Sequence, residues 1–217
     1  MTCCHCEATD RHFGDSSAKG DLRRYHADGP DATTRAIIHA LQRCGLREAS
    51  LMDIGAGIGV IHHELLGEVF ATAIHVEAAS SYVHYAREEA QRRGHADRVQ
   101  FVYGDFIERT SDLPEVDVVT LDRVICCYPD VVTLVQDAAS KARRLLVASF
   151  PRDTWYVRTA IALQNAKRLV LRNPFRTFVH SPNQVDALLR ARGFSMQSVQ
   201  RTFVWQIVVY ERTAGSP

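Results

Sequence analysis

Residues 50–60 read S-L-M-D-I-G-A-G-I-G-V. Leu51, Met52 and Ile54 have strand character, Gly55, Gly57 and Gly59 follow at every second position, and a helical pattern begins directly after them. The spacing predicts a strand, a tight turn and a helix start. A helix N-terminus carries unpaired N–H groups and a partial positive charge, and a turn without Cβ atoms lets a ligand approach the backbone closely.

Two phosphate-binding readings of this turn fail on spacing. A dinucleotide fingerprint places its third small residue one position later, where this chain has Val60. No Gly-Lys-Ser/Thr follows, which excludes a P-loop. Asp53, two residues before the first glycine of G-A-G-I-G, completes a pattern that resembles the first motif of class I S-adenosylmethionine (SAM)-dependent methyltransferases. The resemblance implies a Rossmann-like α/β fold: a seven-stranded, mostly parallel sheet with an antiparallel last strand and helices on both faces. It also implies SAM as cofactor, bound along Asp53, Gly55, Ala56, Gly57 and Gly59.

Downstream strand ends fall into register with this turn. Ala71 to Val76 reads as a second strand closed by Glu77 and Ala78, about 20 residues past the glycines, where an acidic side chain accepts from ribose hydroxyls. Arg98 to Tyr103 leads into Gly104-Asp105-Phe106, which resembles the family's adenine-contacting motif, with Asp105 on the exocyclic amine and Phe106 on the ring. Val116 to Leu121 is a near-continuous apolar run, as in a central parallel strand. It ends at Asp122-Arg123 and V-I-C-C-Y-P-D, where the family places the methionine part of SAM and the acceptor; Asp122, Arg123, Cys126, Cys127 and Tyr128 are candidates there.

Further elements are expected as a helix capped by Asp31 or Thr33, a first post-turn helix over 58–66, and a helix capped by Ser80. A helix over 130–141, a strand over 144–150, and a closing hairpin of a sixth strand, made of Phe194 and the alternating 199–204, and a seventh over 205–211 complete the pattern. Tyr25 and the Thr33-Thr34-Arg35 run are placed to touch the cofactor or to serve only as cap and surface. From Thr154 to Leu171 apolar residues alternate with Arg158, Lys167, Arg168 and Arg172, the pattern of a basic amphipathic helix. Its position after a ligand-bearing strand end favours a lid over the acceptor pocket rather than a membrane-surface element. The domain plan is a Cys-rich arm over 1–30, a methyltransferase domain over 31–212 with a lid-like insertion at about 152–180, and a tail over 213–217.

With 217 residues the chain suits one domain, and 26 Lys+Arg against 25 Asp+Glu leave no charge excess that calls for a nucleic-acid or membrane partner. No stretch has the length of about 20 apolar residues that spans a bilayer, so a cytoplasmic location with reduced cysteines is expected. The Cys3, Cys4, His5, Cys6 cluster lacks C-x-x-C pairing, and no metal is assigned to it. The loosely held arm that carries it is rich in Cys, His, Asp and Gly.

Within the superfamily the C-terminal third, F-P-R-D-T-W-Y, then F-V-H, then a helix ending G-F and a hairpin ending Y-E-R, is similar to magnesium-protoporphyrin O-methyltransferases. The expected activity is methyl transfer to a small-molecule acceptor at oxygen, with His180, Asp122 or Tyr128 as base. Three alternatives remain open at this point: a thiol or metalloid methyltransferase using the cysteines, a non-catalytic SAM-binding module, and an NAD-type oxidoreductase.

Overall fold

A computed structural model describes residues 9–10 and 12–213. The thiols of Cys3, Cys4 and Cys6 therefore lie outside the described residues, as does the tail beyond Thr213.

Seven strands form one sheet: β1 (Ala49–Ile54), β2 (Phe70–Glu77), β3 (Val99–Tyr103), β4 (Val116–Asp122), β5 (Ala142–Pro151), β6 (Phe194–Arg201) and β7 (Trp205–Arg212). Their order is β3-β2-β1-β4-β5-β7-β6. The first five run parallel, β7 is antiparallel to β5, and β6 pairs antiparallel with β7. Helices α1 (Asp15–Asp28), α2 (Ala32–Arg43), α3 (Val60–Leu65), α4 (Ser80–Arg92), α5 (Phe106–Arg109), α6 (Val131–Lys141), α7 (Trp155–Val170) and α8 (Pro182–Ala191) connect and cover the strands.

The period of two along each strand divides the core. Leu51, Val118, Val147 and Val209 pack with Ile37 and Leu41 of α2 and Leu65 of α3. Met52, Val119, Leu146 and Val208 face the other way, onto Leu134 of α6 and Leu189 of α8. Helices on both faces explain why β4 reads as an unbroken apolar run rather than as an alternation. Strand order reverses between β1 and β4, and ligands of open α/β sheets bind in the crevice at such a reversal.

Several boundaries depart from the sequence reading. The post-turn helix begins at Val60 rather than Ile58, because Gly59 has φ +83 and cannot sit inside a right-handed helix. Of the two candidate caps for α2, Asp31 takes the role, accepting from Thr33 N (2.9 Å) and Thr34 N (3.1 Å). Ser80 is not a cap: it is the first residue of α4, and its N–H and hydroxyl both donate to Asp10. The penultimate strand runs over Phe194–Arg201, and the supposed strand residues 202–204 form the hairpin turn, with Phe203 exposed at its tip.

The largest correction concerns the N-terminal arm. From Asp15 onward it is a helix, with Ala18 and Tyr25 buried against the turn and α4. Among the described residues no helix is long and apolar enough to cross a membrane.

Candidate functional site

A cavity of about 810 Å³ opens at the carboxyl ends of β1, β2, β3 and β4. Its floor is the glycine turn. Gly55, Gly57 and Gly59 all have positive φ (+60, +58 and +83), the region that costs an L-residue strain. A Cβ on Gly55 would fall 2.5 Å from Val124 Cγ2, and one on Gly59 2.3 Å from His62 Nε2, so these two glycines serve close packing within the chain. A Cβ on Gly57 meets nothing nearer than the Tyr82 ring at 3.6 Å. Gly57 is thus the glycine whose open side faces the cavity, as a ligand cradle requires.

Glu77 locks this turn to the next strand. Its carboxylate accepts from Gly57 N–H (2.9 Å) and Ala79 N–H (2.8 Å), while Gly55 N–H donates to Val76 O (2.8 Å). Burial pushes the Glu77 carboxyl up, and the backbone N–H groups oppose that shift. A carboxylate has about four lone-pair sites, so Glu77 keeps acceptor capacity for a hydroxyl donor of a ligand. Ala56 and Ala78 line the cavity beside it.

Asp53, under the turn, is 1% exposed. One of its oxygens accepts from Thr120 Oγ1 (2.6 Å) and the other has no protein partner. Burial raises its pKa to about 7. A buried, half-satisfied carboxyl lining a cavity fits a cationic ligand group.

After β3, Gly104 turns the chain and Asp105 caps α5 through Ile107 N–H (2.7 Å). Asp105 also accepts from Tyr128 Oη (2.9 Å), so two residues proposed for separate duties form one wall. Phe106 is buried in the core and lines the cavity.

At the end of β4, Asp122 receives three donors: Thr34 Oγ1 (2.6 Å), Ser149 Oγ and Arg123 NH2 (3.2 Å). Arg123, with φ +62, also pairs with Asp31 (2.7 Å). Of the Thr33-Thr34-Arg35 run, Thr34 reaches the cavity, whereas the Arg35 guanidinium donates to Pro30 O. Tyr25 lines the cavity from α1. Cys126 and Cys127 both line it, with their sulfurs 3.9 Å apart and both thiols donating to Arg123 O (3.2 and 3.3 Å). The adjacent Cys127 thiol and burial push the Cys126 thiol well up.

His180, the sequence's first choice of base, is not part of the cavity wall; its Nε2 donates to Tyr128 O (2.8 Å). The histidine that does line the cavity is His12, from the supposed arm. It stacks on Phe175 (centroids 4.4 Å apart, planes at 6°), and its Nδ1 lies 2.9 Å from Asn173 Nδ2. Asn173 Oδ1 accepts Phe175 N–H, which fixes the amide and makes Nδ1 of His12 the acceptor. Nε2 of the neutral ring then carries the hydrogen.

The lid-like segment covers the other side. Ala160, Ile161, Gln164 and Arg168 of α7 line the cavity with Phe175 and Thr177. Arg168 donates to Thr177 Oγ1 (2.7 Å) and lies over the Phe175 ring (5.0 Å). No carboxylate among the described residues pairs with it. The sequence reading singled out Arg168 only as one basic residue of a helix, but the spacing 160, 161, 164, 168 was a visible signal for a common face. Among the described residues no group of three or more His, Cys, Asp or Glu is set to hold a metal ion.

Residues 52–146 match the family model described as a methyltransferase domain, a span that contains the carboxyl ends of β1, β2, β3 and β4. No curated protein sequence matches the chain. Among solved structures, magnesium protoporphyrin IX methyltransferase from Synechocystis PCC 6803 is similar with bound SAH, at 20% identity and TM-score 0.71, covering 94% of this chain and 98% of that one. The same enzyme with bound SAM gives 18% identity and TM-score 0.72, over 98% and 99%. N,N-8-amino-8-demethyl-D-riboflavin dimethyltransferase from Streptomyces davawensis gives 18% identity and TM-score 0.62, over 94% of this chain and 59% of that one. At these identities the likeness establishes the fold.

Proposed function

We propose that this chain, of which residues 52–146 match a methyltransferase domain, is a class I SAM-dependent methyltransferase that transfers the methyl group of SAM to a small-molecule acceptor at oxygen. The observation that carries this reading is the division of the cavity into two unlike halves. Around the glycine turn stand a fixed backbone, Glu77 and the half-satisfied Asp53. Opposite stand the side chains of α7, among them the guanidinium of Arg168, which no carboxylate pairs among the described residues. Bound there, SAM supplies a sulfonium-activated methyl carbon, which an acceptor lone pair takes as the C–S bond breaks.

What the chain contributes is alignment and exclusion of water. Of the candidate bases, Asp122 is held by three donors, the Tyr128 hydroxyl donates to Asp105, and His180, which donates to Tyr128 O, does not line the cavity. An acceptor oxygen that arrives ionised, a carboxylate or an acidic phenol, needs none of them. Arg168, the Gln164 amide and the Nε2–H of His12 are the groups suited to hold it. The apolar Ile161 and Phe175 suit a carbon framework behind that oxygen.

The thiol or metalloid reading draws on the adjacent Cys126 and Cys127. Both thiols are committed as donors to one carbonyl, and a raised pKa withholds the Cys126 thiolate that a soft metal prefers. An NAD-type oxidoreductase does not fit the reversed last strand or Val60.

Incubating cell extract with methyl-labelled SAM and identifying the labelled product tests the proposal. A labelled ester or ether of a small molecule is expected; label in protein or nucleic acid overturns the acceptor class. SAM binding without product would favour the non-catalytic module. Arg168→Ala should raise KM for the acceptor by roughly tenfold or more while leaving SAM affinity unchanged. The Cys126→Ser, Cys127→Ser double variant should retain turnover.

A further inference from the structure

Helix α7 has 16 residues, of which Val157 alone is buried. At 3.6 residues per turn, Val157, Ile161, Gln164 and Arg168 share the face toward the cavity. The opposite face, an arc of about 120°, holds Trp155, Ala162, Leu163, Ala166, Leu169 and Val170. The one hydroxyl within it, on Thr159, donates back to Trp155 O (2.9 Å). A helix exposed on its outer side ordinarily carries charges there; this one carries none.

The exposure is large: Trp155 79%, Leu163 67% and Val170 82%. The hairpin tip extends the patch, because Phe203, 75% exposed, stacks on Tyr156 at 4.8 Å, and Tyr156 in turn contacts Trp155. A contiguous apolar patch on two elements marks a surface that something covers.

Charge selects the occupant. From Thr154 to Val185 the sequence contains no Asp or Glu, against Arg158, Lys167, Arg168, Arg172 and Arg176. Arg158 pairs with Asp153 at the start of the helix, while Lys167 and Arg172 make no ion pair among the described residues. A second copy docked face to face would bring two basic rims together. An anionic layer with an apolar interior matches both features at once. The helix is too short to span and is shaped to lie in an interface, with its tryptophan at headgroup depth.

We propose that the outer face of α7, with the hairpin tip at Phe203, docks on a lipid surface bearing anionic headgroups. This goes beyond the methyl-transfer reading and does not rest on it. Docked in this way, the helix places its inner face, and so the acceptor side of the cavity, next to the lipid.

Flotation of the full chain with vesicles of phosphatidylcholine, and of phosphatidylcholine mixed with phosphatidylglycerol, tests the proposal. Binding to the anionic vesicles is expected. The combined variant Trp155→Ser, Leu163→Ser, Val170→Ser should weaken that binding by roughly tenfold or more. Lys167→Glu with Arg172→Glu should cut the preference for anionic over neutral lipid by roughly tenfold. SAM titrations of both variants should match the parent, which separates loss of docking from loss of the donor site. No binding to anionic vesicles, equal binding to neutral ones, or binding indifferent to the apolar substitutions overturns the proposal. So does a dimer in solution that the apolar substitutions dissociate, since a second copy would then be what covers this face.

Discussion

Asp53 lies under the glycine turn and lines the cavity. Buried and half-satisfied, it titrates near 7 in the fold against 3.8 as an ordinary side chain. The native state therefore holds a proton that the unfolded chain has already lost, and Asp53 disfavours the fold progressively as pH rises from about 4 to about 7. A cationic group beside it reverses that preference and expels the proton. SAM titrated calorimetrically near pH 6.5, in two buffers of different ionisation enthalpy, should release roughly one proton, and Asp53→Asn should abolish the release. Binding without proton release from the parent would place the donor's charge away from Asp53. Gly57 gives a second expectation. Space for a side chain exists, but φ +58 opposes any L-residue by about 1–2 kcal/mol and a β-branched one by more. Gly57→Val should lower the melting temperature modestly while removing SAM binding; unchanged affinity would count against the cradle. These two residues were legible because strand-turn-helix geometry repeats along the sequence. His12 was not, because nothing in its neighbourhood says that it will stack on Phe175, 163 residues away.

The element that hydropathy hid is α1. Only Ala18 and Tyr25 are buried in its fourteen residues, too few to form an apolar stripe. What docks it is polar: the hydroxyl of Tyr25 donates to Glu64, that of Tyr82 to Asp21 and that of Tyr85 to Asp15, and His26 meets Glu89 at 2.9 Å. Pairs formed between residues 39 to 70 positions apart leave no periodic trace, so the segment reads as a loose arm. Parallel strands, buried on both faces, read plainly from their apolar runs, and the carboxyl ends of β1 to β4 open on the cavity. The hairpin turn was misplaced because 199–204 alternates as a strand does, although Phe203 there points to solvent. Because Asp21, Arg24 and Tyr25 line the cavity, α1 closes the site. Removing two phenol hydroxyls in the Tyr25→Phe, Tyr82→Phe double variant, at about 1 kcal/mol each, should raise the SAM Kd by up to roughly thirtyfold. Hydrogen exchange should quicken over 15–28 and stay slow in β1 and β4; uniform quickening would mean that the whole fold, rather than α1, had loosened.

Across the whole molecule, acid stability is set behind the glycine turn, where α3 packs on β2. His62 and His75 are fully buried, linked Nε2 to Nδ1 at 3.1 Å, and His63 lies beside them. Burial holds His63 and His75 down to about 3, helped by Arg93 for His63 and by neighbouring His63 and Arg87 for His75, and it holds His62 well below its ordinary value. Each stays neutral in the fold and takes a proton near 6.5 once unfolded. Their contribution is complete above about pH 6.5 and is lost as pH falls toward about 3. Asp53 acts oppositely between about 4 and 7, by a similar few kcal/mol at roughly 1.4 per pK unit. Glu77, whose carboxyl burial also pushes up, acts with Asp53, while His12 and His95, held down by burial, act with the three buried histidines; the histidines decide the sign. Glu89, held far below the usual carboxylate range by Arg92, Arg93 and His26 despite its burial, titrates beneath this window. Scanning calorimetry from about pH 4.5 to 7.5 should therefore show the unfolding temperature rising to a maximum near 6.5 and flattening beyond it. The His62→Leu, His75→Leu double variant removes both partners of one buried pair, a change that costs little when nothing is left unpaired. It leaves His63, with His12 and His95, against Asp53 and Glu77, so the rise of stability with pH is largely cancelled. A nearly level profile is expected in that variant; a slope as steep as the parent's would locate the acid sensitivity outside the histidine cluster.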